Sequence, residues 1–175
     1  MDRGRSRQRV RWLTRMALLT AAAVVLGYVE RLIPMPGSIP GIKLGLANTV
    51  LLYAIYLLDT RSAFVLMILK VGLSGLLYGG VSAMMFSLGG GLCSLVMMLL
   101  VKKLGGGNVS IIGVSVVGAV FHNVGQTAVA ALMVNTAALM GYVPFLLVAA
   151  VVTGVLTGIA GKYAIQGLKA SGLEN

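Results

Sequence analysis

Six apolar runs follow one another along this chain, at 13–32, 42–58, 62–79, 82–101, 110–134 and 143–164, each closed off by proline, glycine or charge. A helix rises 1.5 Å per residue, so runs of this length suit a hydrocarbon layer about 30 Å thick. Lipid offers no hydrogen bonds to a bare backbone, and each run must therefore be helical. With 58% hydrophobic and only 10% charged residues, the composition lies outside that of soluble domains. The expected fold is all-α and integral to the membrane: a compact bundle of six transmembrane helices over 13–164. A basic cytoplasmic tail (1–12) precedes it and a short cytoplasmic tail (165–175) follows it. Between the first two runs, ERLIPMPGSIPG (30–41) carries three prolines and two glycines, which predicts a structured outer loop.

Charge placement orients the bundle. Eleven of the 14 lysines and arginines fall on one side if the N-terminus is cytoplasmic: Arg3, Arg5, Arg7, Arg9, Arg11, Arg15, Arg61, Lys102, Lys103, Lys162 and Lys169. Arg31 and Lys43 are left outside, and Lys70 lies within a run. This asymmetry places both termini in the cytoplasm of a multi-pass cell-membrane protein. The net charge of +10 is concentrated before the first run, with Trp12 among the arginines. That pattern fits anionic lipid headgroups rather than nucleic acid. A basic region also begins a signal peptide, but no small-x-small cleavage site with a polar start follows it.

Glycine pairs four apart (Gly41 and Gly45, Gly75 and Gly79, Gly154 and Gly158) predict close helix contacts. The triplet Gly89, Gly90 and Gly91 is consistent either with a break beside a cavity or with small-residue packing.

The polar residues inside the runs are few. Lys70 interrupts FVLMILKVGLSGLLY, where a lysine costs about 2.5 to 3.5 kcal/mol to insert, and so it marks a function. The acids Asp2, Glu30, Asp59 and Glu174 all stand at termini or run ends. Lys70 is therefore expected to be neutral, hydrated, bonded to carbonyls or paired with an anion from outside the protein. In GAVFHNVGQ (118–126), His122 and Gln126 share a helix face, while Asn123 is offset by about 100° toward a neighbouring helix. Counted along the helices, Lys70 lies about 12 Å from the inner surface and His122 about 18 to 20 Å, with Asn48 near 20 Å. These residues suit one cavity, with Lys43 near its outer mouth. The same amides and imidazole also serve as hydrogen-bonding glue between membrane helices, and both readings stand at this point.

Several chemistries find no footing in the sequence. One histidine and the lone Cys93 do not make a metal site or a disulfide, and no metal or other cofactor is expected. There is no GxxxxGK[ST] phosphate loop and no GxSxG nucleophile motif.

GIKLGLAN (41–48), Lys70, FSLGG (86–90) and GAVFHNVGQ together resemble a bacterial membrane family known as heptaprenyl diphosphate synthase component I, or Gx transporters. That family is similar to the substrate-binding S components of energy-coupling factor transporters. The resemblance implies a six-helix subunit that binds a vitamin-like molecule and works with a membrane coupling protein and separate ATPases. It also implies that Ala17 and Ala21 on the first helix touch the coupling protein. The synthase name does not imply catalysis here. Prenyl transfer needs aspartate-rich Mg²⁺ sites, and Asp2 and Asp59 form no cluster. The expectation is a non-enzymatic transport or binding subunit for a small, anionic or vitamin-like ligand, held by Lys43, Asn48, Lys70, His122, Asn123 and Gln126. The alternative is an accessory subunit in heptaprenyl diphosphate or quinone synthesis, or in flavin-linked electron transfer.

Overall fold

Glycine conformation and helix capping divide the apolar sequence into elements. The computed structural model describes residues 3–32 and 45–170, all of whose regular elements are helical. Six α-helices are present among them: α1 (Arg3–Leu32), α2 (Leu46–Leu57), α3 (Thr60–Ser74), α4 (Gly80–Gly105), α5 (Ile111–Val134) and α6 (Val143–Ala170). A π-helical turn, Gly75–Gly79, joins α3 to α4, and short 3₁₀ turns precede α5 and α6. The Ser110 hydroxyl accepts from the Gly113 amide at 3.0 Å and caps the start of α5. Asn135, in the left-handed region at φ 51°, ends that helix.

Four stretches are long and apolar enough to cross a membrane: Arg5–Leu32, Thr60–Gly105, Ile111–Val134 and Ala138–Ala170. The second of these is an antiparallel pair of helices. The chain reverses at Gly80, whose φ of +76° favours glycine, so that Gly75 faces Met84 and Gly91 faces Met67. The family of helices is thus a membrane bundle, though its boundaries depart from those expected in two places. The basic tail is helical from Arg3 and continuous with the first apolar run. The run expected at 42–58 yields a described helix of only 12 residues, about 18 Å long. Gly45, at φ +76°, stands immediately before it.

The short α2 sits in the middle of the bundle, in contact with α1, α3, α5 and α6. Half of its residues are buried, including Leu51 and Leu52, which join Leu66, Met67, Met98 and Val114 in the core. Both ends of α2 are held by side chains from other helices. The Glu30 carboxylate on α1 accepts from the amides of Gly45 at 2.6 Å and Leu46 at 3.2 Å. At the other end, Lys102 on α4 donates to the Ile55 carbonyl at 2.5 Å and lies over the Tyr56 ring. An anion at a helix N-terminus and a cation at its C-terminus both complement the helix dipole.

On the other side of the bundle, α4, α5 and α6 pack closely through glycine. A Cβ at Gly154 or Gly158 would lie 2.7 Å or 2.8 Å from the Cα of Val116 or Ile112 on α5. The glycine triplet of α4 also serves packing. Gly89 and Gly90 face α5 and Gly91 faces α3, and the helix runs through all three without a break. Outward-facing Leu18, Leu76, Val81, Leu132 and Val148 are exposed, as a lipid-facing surface requires.

Candidate functional site: a cavity between α2 and the other helices

A cavity of about 470 Å³ opens between the helices, within the size range of small-molecule sites. Five of the six residues expected to bind ligand line it: Asn48, Lys70, His122, Asn123 and Gln126. Lys43 lies outside the described residues.

Lys70 is half-buried on α3, and its Nζ donates to Asn48 Oδ1 at 2.7 Å. Asn48 stands in the first turn of α2, so the lysine reaches the same helix end that Glu30 caps. The side chains of α5 divide by face. His122 packs against the backbone of Gly90, where any larger residue would collide with it. Asn123 donates to the Leu146 carbonyl of α6 at 3.0 Å, and so joins two helices while also lining the cavity. The offset of about 100° between these neighbours accounts for their separate partners.

The expectation that no carboxylate approaches this region is corrected by Glu30. It lies near the end of α1, but the start of α2 meets it there, and it lines the cavity together with Lys70. Arg31 beside it donates to the Tyr78 carbonyl, and its guanidinium lies 5.3 Å from the centre of the Tyr78 ring. The Tyr78 hydroxyl reaches the Val24 carbonyl at 3.1 Å and Ser74 Oγ at 2.8 Å. These contacts fasten α1 to the π-helical turn beside the cavity. Lys70, Ser74 and Tyr78 recur at intervals of four, a helical stripe that the apolar background conceals when residues are taken singly. Thr153 and Thr157 repeat the pattern on α6.

The cavity wall combines the cations Lys70 and Arg31 with Glu30, neutral amides and hydroxyls, and an apolar lining that includes Leu51, Leu52 and Met67. Glu30 accepts from the α2 amides, and with two cations to one carboxylate the formal charge of these three side chains sums to positive. No group of three or more metal-binding side chains occurs among the described residues. Ala17 and Ala21, expected at a partner interface, are both exposed on the outside of α1, while Met16, Thr20 and Ala23 face inward.

No curated protein and no solved structure matches the chain. The family model described as heptaprenyl diphosphate synthase component I matches residues 19–164, which hold the later part of α1, all of α2 to α5, most of α6 and all the cavity residues named above. The bundle, its central short helix and its lysine-bearing cavity are therefore those of a member of the heptaprenyl diphosphate synthase component I family.

Proposed function

We propose that this protein is a non-enzymatic subunit of the cell membrane that binds a small anionic molecule in the cavity and relies on partner proteins for energy. The observation that carries the reading is Lys70, held by Asn48 in the wall of a cavity of about 470 Å³. A lysine within a membrane-spanning helix and in a cavity wall is a group that an anionic ligand can meet. Gln126 and His122 add hydrogen-bonding groups around the same space. The bundle crosses the membrane six times with both termini in the cytoplasm, following the lysine and arginine asymmetry. The short α2 stands at the second crossing. On this reading the protein works as an S component of an energy-coupling factor transporter does, with the exposed Ala17 and Ala21 available to a coupling protein and ATPases supplying the work.

The family's description favours a second reading, in which the cavity holds the diphosphate of a prenyl chain beside a separate synthase. Affinity purification from gently solubilised membranes separates the two. Coupling and ATPase subunits are expected with the transport reading, whereas a prenyl synthase as the sole partner would replace it with the accessory one. Lys70→Met is expected to weaken anion binding by tenfold or more, about 1.4 kcal/mol. Wild-type affinity in that variant would remove the anion site.

A further inference from the structure

The N-terminal end of α1 projects past the rest of the bundle. Trp12 Nε1 donates to Ser62 Oγ at 2.8 Å, and Ser62 stands in the first turn of α3. The helix nevertheless reaches back to Arg3, so Arg11 lies about 2 Å beyond that tie, Arg7 about 8 Å and Arg5 about 10 Å. Tryptophan favours the border between hydrocarbon and headgroups, and the headgroup layer on one side of a bilayer is about 5 to 8 Å thick. The stretch from Arg11 to Arg7 thus spans it.

Position round the helix separates the arginines into two sets. Arg7, Arg11 and Arg15 recur at intervals of four and are followed on the same face by Leu18, Val25 and Val29. These three apolar side chains are exposed, so their face meets lipid chains. Arg5 and Arg9 instead share the face of Met16, Thr20 and Ala23, which are buried against the bundle. That face turns under the bundle once the helix has passed Trp12. Among the described residues the acids are Glu30, at the opposite end of α1, and Asp59, which accepts from Ser62. One carboxylate does not balance Arg5, Arg7, Arg9, Arg11 and Arg15, so opposite charge has to come from outside these residues.

We infer that Arg7, Arg11 and Arg15 form a docking stripe for anionic phospholipid, with the phosphate on the arginines and the acyl chains along Leu18, Val25 and Val29. A guanidinium meets a phosphate through paired N–H groups. Continuity of the arginines with a lipid-facing apolar face selects a lipid over a soluble polyanion or an acidic protein, because either of those meets only the charged part. Ala17 and Ala21 lie about 90° round the helix from the stripe and are not covered by it. The stripe is on the outside of α1, apart from the cavity, and does not depend on what the cavity holds.

Native mass spectrometry of the full-length protein in a neutral detergent tests this, with dioleoyl phosphatidylglycerol and dioleoyl phosphatidylcholine as probes. Phosphatidylglycerol is expected to bind about tenfold more tightly. Arg7→Gln/Arg11→Gln should bring the two lipids within about twofold of each other. Arg5→Gln/Arg9→Gln, which removes the same charge from the other face, should leave the preference within about twofold of wild type. No preference in the wild-type protein, or one that survives Arg7→Gln/Arg11→Gln, would overturn the stripe. So would an equal loss in both double variants, which would mark a response to net charge alone. A loss confined to Arg5→Gln/Arg9→Gln would overturn it too, and would point the basic helix at an acidic protein beneath the bundle.

Discussion

Individual side chains in this protein act mainly by tying helix ends together. Trp12 Nε1 donates to Ser62 Oγ at 2.8 Å, and Ser62 in turn donates to the Asp59 carboxylate, joining α1 to the turn between α2 and α3. The Ser62 hydroxyl holds the Asp59 carboxyl below its ordinary value of 3.8. A lowered folded-state value stabilises the protein above the unfolded value, and that stabilisation fades as pH falls through the lowered one. Asp59→Asn is therefore expected to reduce the unfolding midpoint at neutral pH, with the difference from wild type shrinking below about pH 4. Thermal unfolding in detergent across that range measures it. Sequence alone marked Lys70, His122 and Gln126, because a polar residue in an apolar run is conspicuous. It missed Ser94, Thr153 and Thr157, since small hydroxyls are ordinary in membrane helices and gain meaning only from what faces them.

The helices differ in how they are held. α2 is too short to span alone and depends on Glu30 and Lys102 at its two ends. Lys102→Met is expected to cost about 1 kcal/mol by uncapping the last turn, while Lys103→Met, at an exposed position, should change little. Chemical unfolding in detergent micelles compares them. The contact between α5 and α6 depends on close backbone approach instead. Gly158→Ala places a methyl 2.8 Å from the Ile112 Cα and should destabilise by about 1 to 3 kcal/mol. At Gly72 of α3 nothing lies within 4 Å, so Gly72→Ala should be neutral or stabilising by up to about 1 kcal/mol. The glycine spacing in the sequence identified the first contact correctly. It placed a boundary between 79 and 82, where the chain reverses at Gly80, but left open whether α4 breaks at its triplet, because glycine permits both outcomes there and neighbouring helices select one.

For the whole molecule, the proposed orientation puts the 106–109 turn in the cytoplasm and the 135–142 segment outside. In a Cys93→Ser background, Ala138→Cys should react with a membrane-impermeant maleimide added to intact cells, and Asn108→Cys should react only after permeabilisation. The reverse pattern would invert the bundle. At this scale α1, α2 and α3 form one group and α4, α5 and α6 a tighter one, with the cavity lined from every helix. A ligand that binds there touches both groups.

The apolar runs and glycine spacing determine that this chain is a helical membrane bundle, because hydrophobic length and backbone satisfaction are local properties. The sparsity of internal polar residues likewise marks Lys70 and the α5 patch as places of interest. Only the tertiary structure brings Asn48 to Lys70, turns Glu30 from a run-end acid into the cap of α2, and sets Ser94 without a partner beside Gly118. Those relations depend on which helices meet and at what height, which is decided by packing between residues far apart in the chain.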